Sequence, residues 1–253
     1  MSMAKKSVLT SVGKGTWWLL KKAAAGAYRG GKKAVKKKIP AVFTPFEVVK
    51  VISGEVEEFA YKLAKESLII AIAGKRGSGK SSLGFKIMEN IHAQEKRPCF
   101  VLGVKQSLLP SWIKEVKAIN DVKNGGVVLV DEGAVTFSSR ESMRKQNKDL
   151  GKILAIARHK DLTLLLVTQN TGMLDKNVLN LCDTILLKEG SLLQAEMERT
   201  VIKKLYKKAT PLLKKIPAQE RKSHVYVVDS DFEAILSVPL PSFWNVKISK
   251  SRA

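Results

Sequence analysis

Residues 74–81 read Gly-Lys-Arg-Gly-Ser-Gly-Lys-Ser and match G-x-x-x-x-G-K-[ST] at every fixed position. The pattern constrains the fold because it works only as the turn between a buried strand and a helix. Ser67–Ala73 (SLIIAIA) supplies an apolar, β-branched run of strand length ahead of it. Ser81–His92 can wind as a helix with Leu83, Ile87 and Ile91 on one face. Gly74, Gly77 and Gly79 let the backbone turn its N–H groups inward around a phosphate, and a helix starting near Lys80 adds its positive dipole end. Lys75, Arg76, Ser78 and Ser82 complete the loop. Lys80 is placed to reach the β- and γ-phosphates, and the Ser81 hydroxyl to ligate Mg²⁺. The motif therefore points to a nucleoside triphosphate, taken here as ATP with Mg²⁺, although no residue identifiable in the sequence reads the base.

A second motif stands downstream. Gly126–Glu132 (GVVLVDE) is an apolar strand ending in two carboxylates. Asp131 suits the acid that holds Mg²⁺ through water, and Glu132 the acid that aligns and polarises the attacking water. The run Leu162–Thr168 ends in Thr168-Gln169-Asn170, and an amide at such a strand tip can sense the γ-phosphate, which makes Gln169 the candidate sensor.

The rest of the core alternates. Strands are expected at Leu68–Ala73, Cys99–Val104, Val127–Val130, Leu162–Thr168, Thr184–Lys188 and Val225–Val228. Helices are expected at Ser81–His92, Ser111–Asn120, Met143–Arg158, Lys176–Leu181 and Leu192–Lys208. One more, between Thr44 and Glu66, would carry Phe46, Val49, Ile52, Val56, Phe59 and Leu63 on one face. Alternation of this type means βαβ units, an α/β fold with a mainly parallel sheet flanked by helices. Past Lys208 the pattern loosens around Pro211, Pro217, Pro239 and Pro241. The expected organisation is a basic arm at 1–40, an ATPase core at 41–208 and an appended C-terminal segment at 209–253.

Charge is uneven. The 253 residues carry a formal +22, a field that draws nucleic acid or an anionic membrane surface. Lys5, Lys6, Lys14, Lys21, Lys22, Arg29, Lys32, Lys33, Lys36, Lys37 and Lys38 supply half of it from a stretch without an acid. On a helical wheel most of those from Lys14 to Lys36 gather within about a third of the circumference, opposite Trp17, Leu20, Ala24 and Tyr28. A basic amphipathic helix of this kind suits an anionic membrane or a row of DNA phosphates. Gly26, Gly30 and Gly31 weaken it by roughly 1 kcal/mol each relative to Ala, so it is expected to form on binding. Cys99 and Cys182 read as small buried hydrophobes, and no cysteine or histidine spacing suggests a metal. No apolar run approaches the ~20 residues of a membrane span, and Lys21 and Lys22 interrupt what a cleaved signal peptide would need. The expected location is inside a cell or inside a particle made there, peripheral to any membrane.

The order GKRGSGKSS, VVLVDEGA, ARHKDLTLLLVTQN resembles the FtsK–HerA superfamily of DNA-pumping ATPases, nearest its viral genome-packaging and Zot-like branches. The likeness covers about Ser67 to Lys188. It implies a RecA/ASCE-type P-loop NTPase whose sensor strand lies between the loop-bearing and acid-bearing strands. It also implies a homo-oligomeric ring, often of six, acting on double-stranded DNA, with the arm at residues 1–38 contacting membrane or capsid. Such rings commonly borrow an arginine from the neighbouring subunit. Of Arg140, Arg144 and Arg158, the two candidates are Arg140, soon after the second acid, and Arg158, ahead of the sensor strand. Zot-like members usually carry a transmembrane helix after the ATPase domain, and its lack favours the packaging branch. The alternatives are a Zot-like membrane-associated ATPase for assembly or extrusion, and a replication initiator or helicase loader.

Overall fold

A computed structural model describes residues 39–131, 143–169, 176–190 and 200–249. The basic arm, Glu132 and Arg140 lie outside these residues, as does the side chain of Arg144. Residues from Lys38 onward form one compact unit.

Among the described residues nine strands alternate with helices. They are β1 (Glu47–Ser53), β2 (Ile69–Ala73), β3 (Cys99–Leu102), β4 (Ile113–Glu115), β5 (Val127–Asp131), β6 (Thr163–Thr168), β7 (Thr184–Leu187), β8 (His224–Asp229) and β9 (Glu233–Ser237). The helices are α1 (Val56–Lys65), α2 (Lys80–Glu95), α3 (Met143–His159), α4 (Lys176–Leu181), α5 (Thr200–Lys214) and α6 (Val246–Ser249). All nine strands join one sheet in the order β1-β9-β8-β7-β2-β6-β5-β3-β4. From β7 to β4 the strands run parallel. The β7–β8, β8–β9 and β9–β1 pairings are antiparallel. The sensor strand β6 lies between β2 and β5, as the resemblance implied.

Each strand of the parallel centre is buried on both faces, which explains its near-continuous apolar sequence. Odd and even residues go to different cores. Ile70, Ile72, Leu129, Leu165 and Val167 pack with Leu83, Phe85, Ile87 and Ile91 of α2 and Phe59 of α1. Ile69, Ala71, Val128, Val130, Leu164 and Leu166 pack with Leu150 and Leu154 of α3 and Ile202 and Tyr206 of α5. Gly84 brings α2 close to the sheet. A Cβ there would lie 2.7 Å from Leu129 Cδ1, with Ile72 and Val167 next.

Three expectations are corrected. The first half of the helix placed between Thr44 and Glu66 is strand β1, and only Val56–Lys65 is helical. Val48, Val49, Val51 and Ile52 are stiff β-branched residues that fit a pleat, and Gly54 at φ +81 turns the chain before α1. Residues 111–120 form β4 and a 3₁₀ turn at Ile119–Asp121 instead of a helix. Gln106 holds β4 extended, donating from its side chain to the Ile113 carbonyl while exchanging hydrogen bonds with Glu115. The described part of the segment expected as an appendage, residues 209–249, belongs to the core. α5 runs on to Lys214 with Pro211 in its last turn, and β8 and β9 extend the same sheet.

A buried clasp ties distant stretches to α2. Glu89 pairs with Lys86 at 2.8 Å, the two side chains 0% and 1% exposed. Glu89 also accepts from the Val42 and Ser242 backbone N–H groups and from the Ser242 hydroxyl. Lys86 donates to the Val42 carbonyl and Thr44 Oγ1, while Asn90 bonds the Thr44 backbone at both its N–H and C=O. A buried pair is tolerated where further hydrogen bonds satisfy both partners, as here.

Candidate nucleotide site

Residues 74–79 carry the chain from the end of β2 into α2. Gly77 and Gly79 take φ +75 and +89, values that an L side chain would strain. At Gly79 a Cβ would also lie 2.7 Å from the Lys222 carbonyl oxygen. At Gly74 it would meet Lys188 Cβ at 2.7 Å and Ser78 Oγ at 2.9 Å. The loop is thus packed from beneath, while the position above Gly77 is open. No side chain caps α2 at Gly79, so its dipole end is presented to whatever sits in the loop. Lys80 is buried, and its Nζ donates to the Gly74 and Lys75 carbonyls at 2.8 Å each. Ser82 Oγ donates to the Gly79 carbonyl.

Strand alternation brings the second motif to this loop. Leu129 and Val167 face α2, so Asp131 and Gln169, each two residues further on, face the same way. Asp131 ends β5, is 1% exposed and pairs in register with Val167 of β6. Val167 in turn pairs with Ile72, two residues before Gly74. The structure therefore gathers Gly74–Ser82, Asp131 and Gln169 at the C-terminal ends of adjacent parallel strands, where α/β sheets take ligands. The hydroxyl of Ser81 and the carboxylate of Asp131 are hard oxygen donors suited to Mg²⁺. Among the described residues no cluster of three His, Cys, Asp or Glu could hold a metal ion by itself.

Above the loop opens a cleft of about 940 Å³. Arg76, Gly77, Gly79–Ser82 and Gln169 line one side. The other is made by the turn at 219–223 and the segment from Val238 to Trp244. A smaller cleft, about 460 Å³, lies at the opposite pole beside Asp229 and carries Glu55, Glu57, Glu58, Glu66 and Asp231 as well. Six carboxylates repel a triphosphate.

Arg158 is not brought to the cleft. Its guanidinium donates to the Leu181 carbonyl at 2.8 Å and lies 3.5 Å from Asp183. Asp183 accepts from the N–H of Ile69, the first residue of β2, so roughly 13 Å of strand separates Arg158 from the phosphate loop. Half-exposed there, it does not reach the phosphate loop of its own chain.

Sequence reasoning missed the support under the loop. Lys188 and Glu189 follow β7 directly. The Lys188 N–H donates to the Ala73 carbonyl, and the Lys75 N–H to that of Glu189. The Glu189 carboxylate pairs with Lys75 at 2.8 Å and Arg221 at 3.2 Å. Those two partners hold it below the usual carboxylate range, the Lys75 hydrogen bond leading. Lys188 is 1% exposed, and its Nζ donates to the Lys222 carbonyl at 2.7 Å. Burial, and then the like charge of Lys80, push its ammonium down to about 7 from an ordinary 10.5. The available signal was a charged pair at the C-terminal end of an expected buried strand.

Lys188 gives a pH prediction. Between about 7 and 10.5 the folded chain has shed this proton and the unfolded chain still holds it. Stability must therefore rise with pH across that window, because the unfolded state binds more protons there. Replacing Lys188 with methionine removes this contribution. Thermal unfolding at pH 7, 8 and 9 is expected to show the wild-type midpoint gaining on that of Lys188→Met as pH rises; parallel curves would show that Lys188 keeps an ordinary affinity for its proton.

The strand order and the strand–loop–helix at Gly74–Ser82 define the class, a P-loop ATPase fold of the RecA/ASCE type, and the resemblance to FtsK–HerA ATPases holds. Residues 83–190 match the model of the family described as Zonular occludens toxin (Zot). No curated protein sequence matches the chain. Among solved structures it is similar to the DNA-packaging ATPase B204 of Sulfolobus Turreted Icosahedral Virus, at 15% identity and a TM-score of 0.49, over 69% of this chain and 98% of that one. The B204 packaging NTPase of Sulfolobus turreted icosahedral virus 2 in complex with AMPPCP gives 16% and 0.48, over 69% and 99%. ATPases 2 and 3 of EssC from Geobacillus thermodenitrificans give 10% and 0.46, over 85% of this chain and 50% of that one. Each is a likeness of fold at low identity. Among the described residues no helix is long and apolar enough to cross a membrane.

Proposed function

We propose that the chain hydrolyses ATP to move double-stranded DNA through a ring of its own copies, in the manner of a viral genome-packaging motor. The observation that carries the reading is the position of β6, which sets Gln169 between the phosphate loop and the strand that ends in Asp131. A sensor there registers whether the γ-phosphate is present and passes that state to the sheet centre. Lys80 leaves the Gly74 and Lys75 carbonyls for the β- and γ-phosphates. Ser81 and Asp131 are the residues that would hold Mg²⁺, which when bound would supply positive charge against the phosphate oxygens. Glu132 orients the attacking water. An arginine from a neighbouring copy, Arg140 or Arg158, completes the site, its planar fork matching phosphate oxygens better than a lysine would. The net charge of +22 suits a motor that grips a phosphate backbone without reading bases.

A second reading is an ATPase serving particle assembly at an anionic membrane. The match of residues 83–190 to the Zot model and the basic amphipathic arm favour it. Parallel ATPase assays with duplex DNA, single strands and anionic vesicles separate the two. A motor is expected to respond to duplex and to lose that response steeply with salt. Stimulation by vesicles alone would transfer the function to the membrane. Deleting residues 1–38 removes eleven of the positive charges. The truncated chain is expected to keep its basal hydrolysis and to bind duplex or vesicles more weakly in co-sedimentation; unchanged binding of both would make the arm a solubilising tail.

A further inference from the structure

The cleft above the phosphate loop changes character along its length. At the loop end it offers Lys80, Ser81 and the start of α2. Its lining also includes the apolar residues Val238, Pro239, Leu240 and Trp244. A nucleoside triphosphate has the same polarity, anionic at one end and flat and aromatic at the other. We infer that residues 238–244 form the nucleobase subsite, with the base held against Leu240 and the Trp244 indole; the inference rests on the proposed binding of ATP at the loop.

The segment is built as a fixed wall. The Val238 N–H donates to the Ser223 carbonyl, joining the wall to the turn whose Lys222 carbonyl lies against Gly79. Pro239 and Pro241 restrict the backbone on either side of Leu240. Ser242 is anchored to the buried carboxylate of Glu89. The Trp244 N–H closes a turn on the Pro241 carbonyl, and its ring packs on Phe85, with centroids 6.2 Å apart. Phe85 belongs to the second turn of α2, so the indole stands one helical turn beyond Ser81 and Ser82. Leu240 is 61% exposed in this setting. A large apolar side chain held out between two prolines at a cleft mouth is explained by a flat partner laid over it. A wall fixed from behind by hydrogen bonds and ring packing loses little freedom when the base arrives, so contact converts efficiently into affinity.

Two polar groups of the adjoining turn are engaged within the fold. Ser223 Oγ donates to the Glu220 carbonyl, and the Lys222 carbonyl accepts from Lys188.

The test compares ATP with inorganic tripolyphosphate, which carries the charged end and lacks the base. Calorimetric titration of the full chain with each is expected to favour ATP by roughly ten- to a hundred-fold, the range for stacking one base. In Leu240→Ser and Trp244→Ala that ratio should fall toward one while tripolyphosphate affinity stays within a few-fold of wild type. Leu240→Ser is the safer variant for folding, since the residue is exposed. A wild-type ratio near one, or equal losses for both ligands in Leu240→Ser, would overturn the subsite. So would ratios unchanged in both variants. If wild type binds ATP and no tripolyphosphate, the phosphate-loop reading itself falls, and the subsite with it.

Discussion

Replacing Lys80 with alanine is expected to lower ATP affinity by about two decades and to abolish turnover. Lys80 is 5% exposed, and its ammonium bridges the Gly74 and Lys75 carbonyls. A hydrogen bond to a charged phosphate oxygen contributes about 1.5–3 kcal/mol, and a decade of affinity is about 1.4 kcal/mol. Losing contacts to two phosphates at once therefore reaches about a hundred-fold. Two further effects point the same way. The carbonyls that Lys80 holds inward would be released, and Lys188 alone would remain as the buried cation beneath the loop. Titration with a fluorescent ATP analogue and a phosphate-release assay check both halves. Turnover at the wild-type rate would remove the assignment of residues 74–82 altogether.

The second large effect is expected from Glu132→Gln. The amide keeps the size of the carboxylate and loses its ability to polarise water, so hydrolysis should slow about 10²–10⁴-fold, the usual contribution of a positioned general base. ATP affinity should change only a few-fold, because the loop and Asp131 are untouched. A filter-binding assay beside single-turnover hydrolysis separates the two quantities. Cleavage at the wild-type rate would mean that another group activates the water. The contrast with Lys80→Ala is itself diagnostic: one variant fails to hold the nucleotide, and the other holds it uncleaved.

The centre of the molecule was legible from the sequence, and its margins were not. β2, β5 and β6 announced themselves because strands covered on both faces must be apolar throughout, and such runs stand out against the flanking charges. Leu83, Ile87 and Ile91 fell at helical spacing and are all buried. The edge strand β1 deceived because Phe46, Val49, Ile52, Val56 and Phe59 also fit a period near 3.6, while the residues that decide are β-branched. β9 went unread because its five residues gain their place from β8 and β1 rather than from any pattern of their own. At the site, motif residues were readable because backbone turns and phosphate chemistry impose residue types. Lys188, Glu189, Lys222 and Trp244 are matched to neighbours distant in sequence, and no spacing records such a match. Arg158 shows the converse. Its place beside the sensor strand is near the motif in sequence, yet it stands at the other end of that strand in space.

The Lys86–Glu89 clasp gives α2 a mechanical role besides its chemical one. Val42 and Thr44, which follow the arm in sequence, and Ser242, which lies within the base wall, are fastened to the same two turns of the helix that begins at Lys80. A pull on residues 39–44 would be borne by the helix at whose tip the phosphate loop is seated. Load and fuel would then meet on one lever, pinned by Lys86, Glu89 and Asn90 together.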